Sequence, residues 1–130
     1  MHAKAEEKRG FIRVPFKTDV EVRIQSRSIR SQADLNISMS GICLSIAEDI
    51  PPAETPCQVT IILGKLDEPV AIEAKGKTIR SQPGSLAVEF SELELDSYLH
   101  LQQLIINNAD DPKRAEQEFH AHWGIRMPPP

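Results

Sequence analysis

Residues 36–46 read Asn-Ile-Ser-Met-Ser-Gly-Ile-Cys-Leu-Ser-Ile, and this stretch decides the fold class. Its first six residues are rich in Asn, Ser and Gly, which favour turns because they hydrogen-bond locally or tolerate unusual backbone angles. Its last five alternate, with Ile42, Leu44 and Ile46 on one side and small side chains on the other. The stretch therefore predicts a turn that leads directly into a half-buried strand.

Similar alternation occurs on both sides of this stretch. Strands are predicted at residues 18–24, 28–35, 42–46, 57–63, 70–80 and 86–90. Prolines and glycines separate them, and Gln82-Pro83-Gly84-Ser85 gives a hairpin signal. Many short strands with such turns are typical of closed antiparallel sheets. We therefore expect a mainly β protein, built as a six-stranded antiparallel β-barrel with a C-terminal helix or helices.

The hydrophobic period changes from two to about 3.6 after the last strand. A helix is predicted from Asp96 as its N-cap, with an apolar stripe formed by Tyr98, Leu101, Leu104 and Ile105. Asp110-Asp111-Pro112 predicts a second helix that extends to Trp123 and ends at Gly124. The expected organisation is an N-terminal arm, a barrel, a helical extension and a disordered tail, at residues 1–13, 14–92, 93–124 and 125–130.

The composition is that of one soluble globular domain, with 130 residues, 40% hydrophobic and 26% charged. No apolar run approaches the roughly 20 residues that span a bilayer. The first ten residues are charged where a signal peptide would be apolar, so we expect a cytoplasmic protein without membrane insertion.

The net charge of −4 is unevenly distributed along the chain. Residues 1–30 contain eight Lys or Arg and four Asp or Glu, whereas residues 31–130 contain seven and fifteen. A basic segment on an acidic body suits a compact anionic ligand better than a long nucleic acid. A solvated, charged N-terminus is the alternative interpretation.

The two cysteines, Cys43 and Cys57, lie in or beside apolar runs and are predicted to be buried free thiols. The four histidines show no recognisable metal-ligand spacing, so no metal site is predicted. These histidines are His2, His100, His120 and His122.

Two short motifs carry candidate binding chemistry. Arg9 and Arg13 lie four apart before the first confident strand, and arginine pairs with phosphates and stacks on purines. Asn36, Ser38 and Gly41 follow the pattern Asn-x-Ser-x-x-Gly, which offers a base-edge reader, a hydroxyl and an unobstructed backbone. Taken singly, the first motif also fits surface salt bridges and the second fits an ordinary polar turn.

Taken in this order, the two motifs resemble the signature of the PilZ family, RxxxR followed by [DN]xSxxG. The resemblance covers about residues 8–106. It implies a barrel that binds cyclic di-GMP on its outer surface, needs no further cofactor and passes the signal to a protein partner. Arg9 and Arg13 would then grip phosphates and stack on guanine, and a flexible N-terminal arm would fold over the nucleotide.

The resemblance also assigns the second motif to the ligand. Asn36 and Ser38 would contact guanine or nearby atoms, and Gly41 would keep the surface clear. Lys8 stands where the family often has another arginine, and we include it as a possible contact together with Arg80 at a strand end.

Departures from the family pattern occur at two further positions. Ser40 stands where a second glycine is frequent, and Ala87 where glycine often precedes the last strand. Both could alter ligand geometry.

Other functions are less well supported by the residues. No nucleophile, base and orienting partner can be assembled, so we predict no enzyme activity. A PilZ-like adaptor that binds a protein without the nucleotide is the main alternative. A single-stranded nucleic-acid binder would need aromatic stacking platforms, which the sequence lacks. The pattern leaves open monomer or homodimer, and one or two bound nucleotides.

Overall fold

The computed structural model describes residues 12–25, 27–31, 34–46, 51–63, 70–79 and 82–121. These ranges contain eight strands and two helices: β1 (Val14–Lys17), β2 (Val20–Ile24), β3 (Arg27–Ser31), β4 (Asp34–Ser38), β5 (Gly41–Ser45), β6 (Pro56–Leu63), β7 (Val70–Ile79), β8 (Ser85–Leu93), α1 (Leu95–Asn108) and α2 (Pro112–Ala121).

The strands form one sheet in the order β1-β4-β5-β8-β7-β6-β2-β3, and all its neighbours in the described ranges are antiparallel. The sheet is curled into a half-barrel with β1 and β3 at the two ends of this order. The mainly β, antiparallel prediction is therefore confirmed.

The predicted number of strands, six, is wrong. β1 is not among the predicted strands because it has only four residues and contains Pro15. β3 and the beginning of β4 are predicted as one strand, because β3 has a single buried apolar residue, Ile29, and shows no clear alternation.

The predicted extent of the turn is also wrong. Asn36 and Ser38 lie in β4, because Leu35 and Ile37 beside them are buried in the core. Since Ser38 pairs with Gly41, the turn has only two residues between these positions.

One core lies on the inner face of the sheet and is covered by α1. The predicted stripe of α1 is confirmed as buried: Tyr98, Leu101, Leu104 and Ile105. Ser97 adds a polar attachment, since its Oγ accepts a hydrogen bond from the Glu73 N–H at 2.9 Å. That amide lies beyond the last pairing of β7 with β8, so Ser97 satisfies a backbone donor that the sheet leaves available.

The helix boundaries agree in part with their predictions. α1 begins at Leu95 with Glu94 as its N-cap, so Asp96 lies in the first turn and is not the cap. α2 begins at Pro112, and Asp111 Oδ1 accepts a hydrogen bond from the Arg114 N–H at 3.1 Å, which confirms the acidic cap. The predicted end of this helix lies outside the described residues. Neither described helix is long and apolar enough to cross a membrane.

Helix α2 packs on α1 through an aromatic pair. The rings of Tyr98 and Phe119 meet edge to face, with centroids 5.6 Å apart and planes at 77°. Both side chains are buried, and Ala115 one turn earlier is buried too. The C-terminal helix is thus part of the folded body.

Candidate functional site

The outer surface of the half-barrel presents Asn36. Leu35 and Ile37 point into the core, so Asn36 between them points outward, and it is exposed. Its cross-strand neighbours are Pro15 on β1 and Cys43 on β5. From Cys43 this row of cross-strand neighbours continues to Ala87 on β8 and Ile79 on β7. Asn36 is therefore flanked mainly by apolar or small side chains.

Arg13 lies immediately before β1 at the same end of the sheet. Val14 pairs with Ile37, so continuing the register by one residue sets Arg13 opposite Ser38. Val14 is buried in the core, and Arg13 therefore belongs to the outward-facing set. Diagonal neighbours in an antiparallel pair lie roughly 7–8 Å apart. Arg13 and Asn36 are consequently within the span of one nucleotide.

Ser38 is 6% exposed and shapes the turn between β4 and β5. Its Oγ accepts a hydrogen bond from the Ser40 N–H at 3.2 Å and lies 3.0 Å from Ser40 Oγ. It also contacts the Gly41 carbonyl oxygen at 3.5 Å. The serine spacing in the motif therefore has a local structural cause. Ser40, which replaces a frequent glycine, participates in the same network.

Gly41 is required by the sheet itself. A Cβ built on this residue would lie 2.1 Å from the Val88 carbonyl oxygen on β8, and Glu89 Cα would be 3.2 Å away. Real Cβ atoms do not approach a carbonyl so closely, so a side chain here would push β5 and β8 apart. The close approach of two strands accounts for this glycine before any ligand is considered.

Charged side chains beside the motif are already paired in part. Glu89 is the cross-strand neighbour of Gly41, and it lies 3.9 Å from Lys77 Nζ. Lys77 also contacts Glu54 at 3.2 Å. Because Glu89 adds negative charge to this face, an anionic ligand would depend on the cation at Arg13 and on those carried by the N-terminal segment.

Several predicted contacts lie outside the described residues: Lys8, Arg9 and Arg80. The structure places Asn36, Ser38 and Gly41 together where β4 turns into β5. Arg13 immediately precedes β1, and the register extended by one residue sets it opposite Ser38. Within the described ranges, no group of three or more His, Cys, Asp or Glu could hold a metal ion.

A separate groove of about 490 Å³ lies on the other half of the sheet, on β2, β3 and β6. Its Arg30 is paired with Glu21, at 3.1 Å between Nε and Oε2, and Asp19 adds a second carboxylate. Its lining includes none of the motif residues. An acidic lining with its arginine already paired is a poor match for a phosphate.

Glu118 on α2 contacts the start of β1, and the sequence motifs do not predict this contact. Its Oε1 accepts a hydrogen bond from the Ile12 N–H at 2.8 Å, although 106 positions separate the two residues. Ile12 immediately precedes Arg13. No local motif marks Glu118, because only the fold brings α2 to the start of β1.

The two cysteines are free but differ in environment. Cys57 is buried, as predicted, whereas Cys43 is only half-buried and faces outward, with its Sγ 3.3 Å from Ser85 Oγ. The prediction that Cys43 is buried is wrong. The alternation of Ile42 and Leu44 already contained the signal, since it assigns Cys43 to the opposite face.

A thiol reagent should therefore label Cys43 and spare Cys57 in the folded protein. Burial raises the pKa of the Cys57 thiol from 9.0 to about 11. Because the thiolate is the reactive form, its population near neutral pH falls about 100-fold. Intact mass spectrometry should show one label per chain, and none in Cys43→Ser under the same conditions. Equal labelling of both cysteines would contradict the described burial.

The fold and motif geometry define a small antiparallel β half-barrel with a helical C-terminal extension. The model of the PilZ domain family matches residues 7–107. The chain belongs to the PilZ family.

Two solved structures show the same fold. The Bacillus subtilis inhibitor of motility MotI/DgrA matches with a TM-score of 0.62 and 22% identity over 75% of this chain and 49% of that one. This chain thus spans about half the length of MotI/DgrA. The PilZ domain of CeSA from a cellulose-synthesizing bacterium matches with a TM-score of 0.55 and 19% identity, over 74% of this chain and 96% of that one. Comparison with curated proteins gave no match.

Proposed function

We propose that this PilZ chain binds cyclic di-GMP on the outward face of β1, β4 and β5. The chain belongs to a family that binds this nucleotide. The observation that best supports the proposal is the register of β1 and β4, which pairs Val14 with Ile37. Extended by one residue, this register sets Arg13 opposite Ser38 and diagonal to Asn36. An arginine and an exposed amide are thereby combined on one surface, as a guanine nucleotide requires.

The cationic residues hold the phosphates in this proposal. Arg13 donates paired hydrogen bonds to a phosphate from the start of β1, and Arg9 acts in the same way from the preceding segment. The flat guanidinium groups also stack on guanine, which a lysine cannot do. Lys8 contributes a point charge, and Arg80 reaches the ligand from beyond the end of β7.

The second motif reads and accommodates the base. The Asn36 side chain has both a donor and an acceptor, and its exposure leaves it accessible to a base edge. Ser38 adds a ligand contact while it maintains the turn, and Gly41 allows close approach. The neighbouring row of Cys43 and Ala87 provides a low surface over which a purine can lie.

Nucleotide binding then acts as a switch on the N-terminal segment. Since the ligand contacts this segment and the sheet at once, it stabilises the closed arrangement and shifts the population toward it. The closed surface is what a downstream protein partner recognises. The chain acts as a receptor and performs no catalysis. The two free thiols agree with a reducing, cytoplasmic location.

A nucleotide-independent adaptor is the second candidate, and two observations favour it. Ser38 and Gly41 have structural roles in the turn and the sheet, so a chain that had lost the nucleotide would still need them. Their presence therefore supports the fold more strongly than it supports the ligand. Arg13 and Asn36 are the positions that distinguish the two functions.

Asn36→Ala should reduce the preference of the protein for cyclic di-GMP over cyclic di-AMP by roughly 5- to 150-fold, since a good side-chain pair with a base gives about 1–3 kcal/mol of discrimination. Asn36→Asp is the matched control, because a carboxylate still accepts from guanine N–H groups. Competition titrations with both dinucleotides measure the preference. An unchanged preference in Asn36→Ala would remove Asn36 from base reading.

A further inference from the structure

The groove on β2, β3 and β6 lies on the outward face of the sheet, in the half that the nucleotide motif does not use. Its volume of about 490 Å³ falls within the roughly 300–1,000 Å³ that binding clefts usually have. Three large apolar side chains are exposed in the described part of the chain, and Ile62, at 38%, is the one that lies on the sheet. The groove therefore combines a concave shape with an exposed apolar contact.

The first row of cross-strand neighbours in the groove is part apolar and part acidic. The Ile62 N–H donates to the Asp19 carbonyl oxygen at 3.0 Å, which sets Ile62 of β6 beside the residue that precedes β2. Ile62 also pairs with the half-buried Ala71 on β7. Asp19 is exposed, and its carboxylate forms no ion pair with any described residue. An apolar patch thus lies directly beside a negative charge.

The second row is mainly acidic. Glu21 lies opposite Arg30 on one side and Thr60 on the other, and Thr60 pairs with the exposed Glu73. The Arg30 side chain is 81% exposed, so its 3.1 Å contact with Glu21 is a surface ion pair, and such pairs are weak. A cation from another molecule can therefore share Glu21. Since Asp19, Glu21 and Glu73 outnumber Arg30, the groove attracts positive charge.

The spacing of the two rows defines what fits them. Asp19 and Glu21 are two residues apart, and a strand rises roughly 3.3 Å per residue, so the rows are about 6.5–7 Å apart. Side chains that share one face of an extended chain have the same spacing. A segment laid along β2 with an apolar residue over Ile62 would place the residue two positions later over Glu21. The exposure of Asp19 and Ile62 favours such an open surface over a small-molecule site, which buries most of its ligand.

We propose that this groove docks a partner protein through an extended segment that carries an apolar residue and, two positions later, an arginine or lysine. The apolar side chain packs on Ile62 and Ala71, and the cation pairs with Glu21. The same carboxylates repel anionic ligands. The described lining of the groove contains none of the nucleotide motif, so docking requires no nucleotide. The inference thus goes beyond the proposed function and holds equally for a receptor and for an adaptor.

The probe is the peptide acetyl-Gly-Leu-Thr-Arg-Thr-Gly-amide, which has Leu and Arg on one face when it is extended. Amide chemical shifts of isotope-labelled protein, titrated without nucleotide, locate the binding surface and give the dissociation constant. The same peptide with Glu in place of Arg tests the charge, and argininamide tests whether a small cation is sufficient. The groove is altered in the double variant Asp19→Asn/Glu21→Gln and in Ile62→Thr. Glu54→Gln, which removes an exposed acid near the other end of β6, is the matched control.

We expect shifts confined to the start of β2 and the ends of β3 and β6, with a dissociation constant of about 1 mM or tighter for this short probe. The double variant should bind about tenfold more weakly, since each exposed ion pair contributes a factor of up to about five. Ile62→Thr should bind about fourfold more weakly, the equivalent of one buried methylene. Glu54→Gln should bind like the wild type, and the Glu-containing peptide should not bind.

Three results would overturn the inference: no shifts at high peptide concentration, equal binding of the Glu-containing peptide, or undiminished binding by both groove variants. Argininamide that bound as tightly as the peptide would also overturn it, because the groove would then be a site for small cations. The spectrum of each free variant confirms that it is folded. Failure of the wild type to bind cyclic di-GMP would remove the proposed function and leave this inference intact, because the titration contains no nucleotide.

Discussion

Arg13→Ala should raise the dissociation constant for cyclic di-GMP by roughly 10- to 150-fold, which corresponds to the loss of about 1.5–3 kcal/mol for a hydrogen bond to a charged group. Arg13 immediately precedes β1, and the register extended by one residue sets it diagonal to Asn36, from where we expect its guanidinium to reach a phosphate. The melting temperature of the free protein should change little, because Arg13 precedes the strand and is not part of the apolar core.

Arg23→Ala is the matched control for this variant. Arg23 lies on the outer face of β2, in the other half of the sheet, where it donates to Gln58 Oε1 at 3.1 Å. The Arg23→Ala variant should bind the nucleotide with the same dissociation constant as the wild type. Equal losses of nucleotide affinity in both variants would show that the effect arises from net charge alone. A large drop in the melting temperature of Arg13→Ala would show that Arg13 has a structural role.

Gly41→Ala should lower the free energy of unfolding by about 3 kcal/mol or more, the upper part of the range for overpacking. The added Cβ would meet the Val88 carbonyl oxygen at 2.1 Å, and neither backbone can move without breaking the β5–β8 pairing. For a domain of this size, we expect a melting temperature lower by about 10 °C, measured by circular dichroism.

Gly84→Ala separates this steric effect from the general cost of replacing glycine. Gly84 has a φ of +83° in the hairpin between β7 and β8, and the nearest atom to an added Cβ is the Ile46 carbonyl oxygen at 4.0 Å. Only backbone strain of about 1–2 kcal/mol is expected there. A Gly41→Ala protein as stable as Gly84→Ala would contradict the proposed close approach of β5 and β8.

The role of Gly41 changes how loss of binding should be interpreted. The family resemblance assigns Gly41 to the ligand, yet its substitution would disturb the strands that present Asn36 and Ser38. Loss of nucleotide binding in a Gly41 variant would therefore not demonstrate a ligand contact. Arg13 and Asn36 are better probes of function because Asn36 is exposed, Arg13 is half-buried and neither belongs to the core.

Regular alternation explains which parts of the fold could be predicted from sequence. Val20, Val22 and Ile24 are all buried, and the hairpin at Gln82-Pro83-Gly84-Ser85 forms with Ser85 N–H donating to the Gln82 carbonyl at 2.9 Å. Such signals are local, since they depend on the period of a strand or on the backbone preferences of a turn.

Short edge strands could not be predicted in the same way. β1 and β3 have four and five residues and lie at the ends of the strand order, so within the described part of the chain each pairs on one side. Too few of their side chains are buried to set up a clear period. Their pairing depends on β4 and β2, which are adjacent only in the folded sheet.

In the candidate site, too, features that are local in sequence could be predicted and contacts between distant residues could not. Asn36, Ser38 and Gly41 are close in sequence, so their motif was visible at once, but their placement on β4 and at a two-residue turn was not. The hydrogen bond between Ile12 and Glu118 spans 106 positions and depends on how α2 packs. Sequence spacing carries no information on contacts of that kind.

Titration of the purified protein with cyclic di-GMP by isothermal calorimetry tests the central claim most directly, with GTP and cyclic di-AMP as control ligands. The account predicts saturable binding with a dissociation constant in the micromolar range or tighter, a clear preference over both controls and a large loss in Arg13→Ala. Absence of heat from a folded sample at high nucleotide concentration would contradict it and favour the nucleotide-independent adaptor.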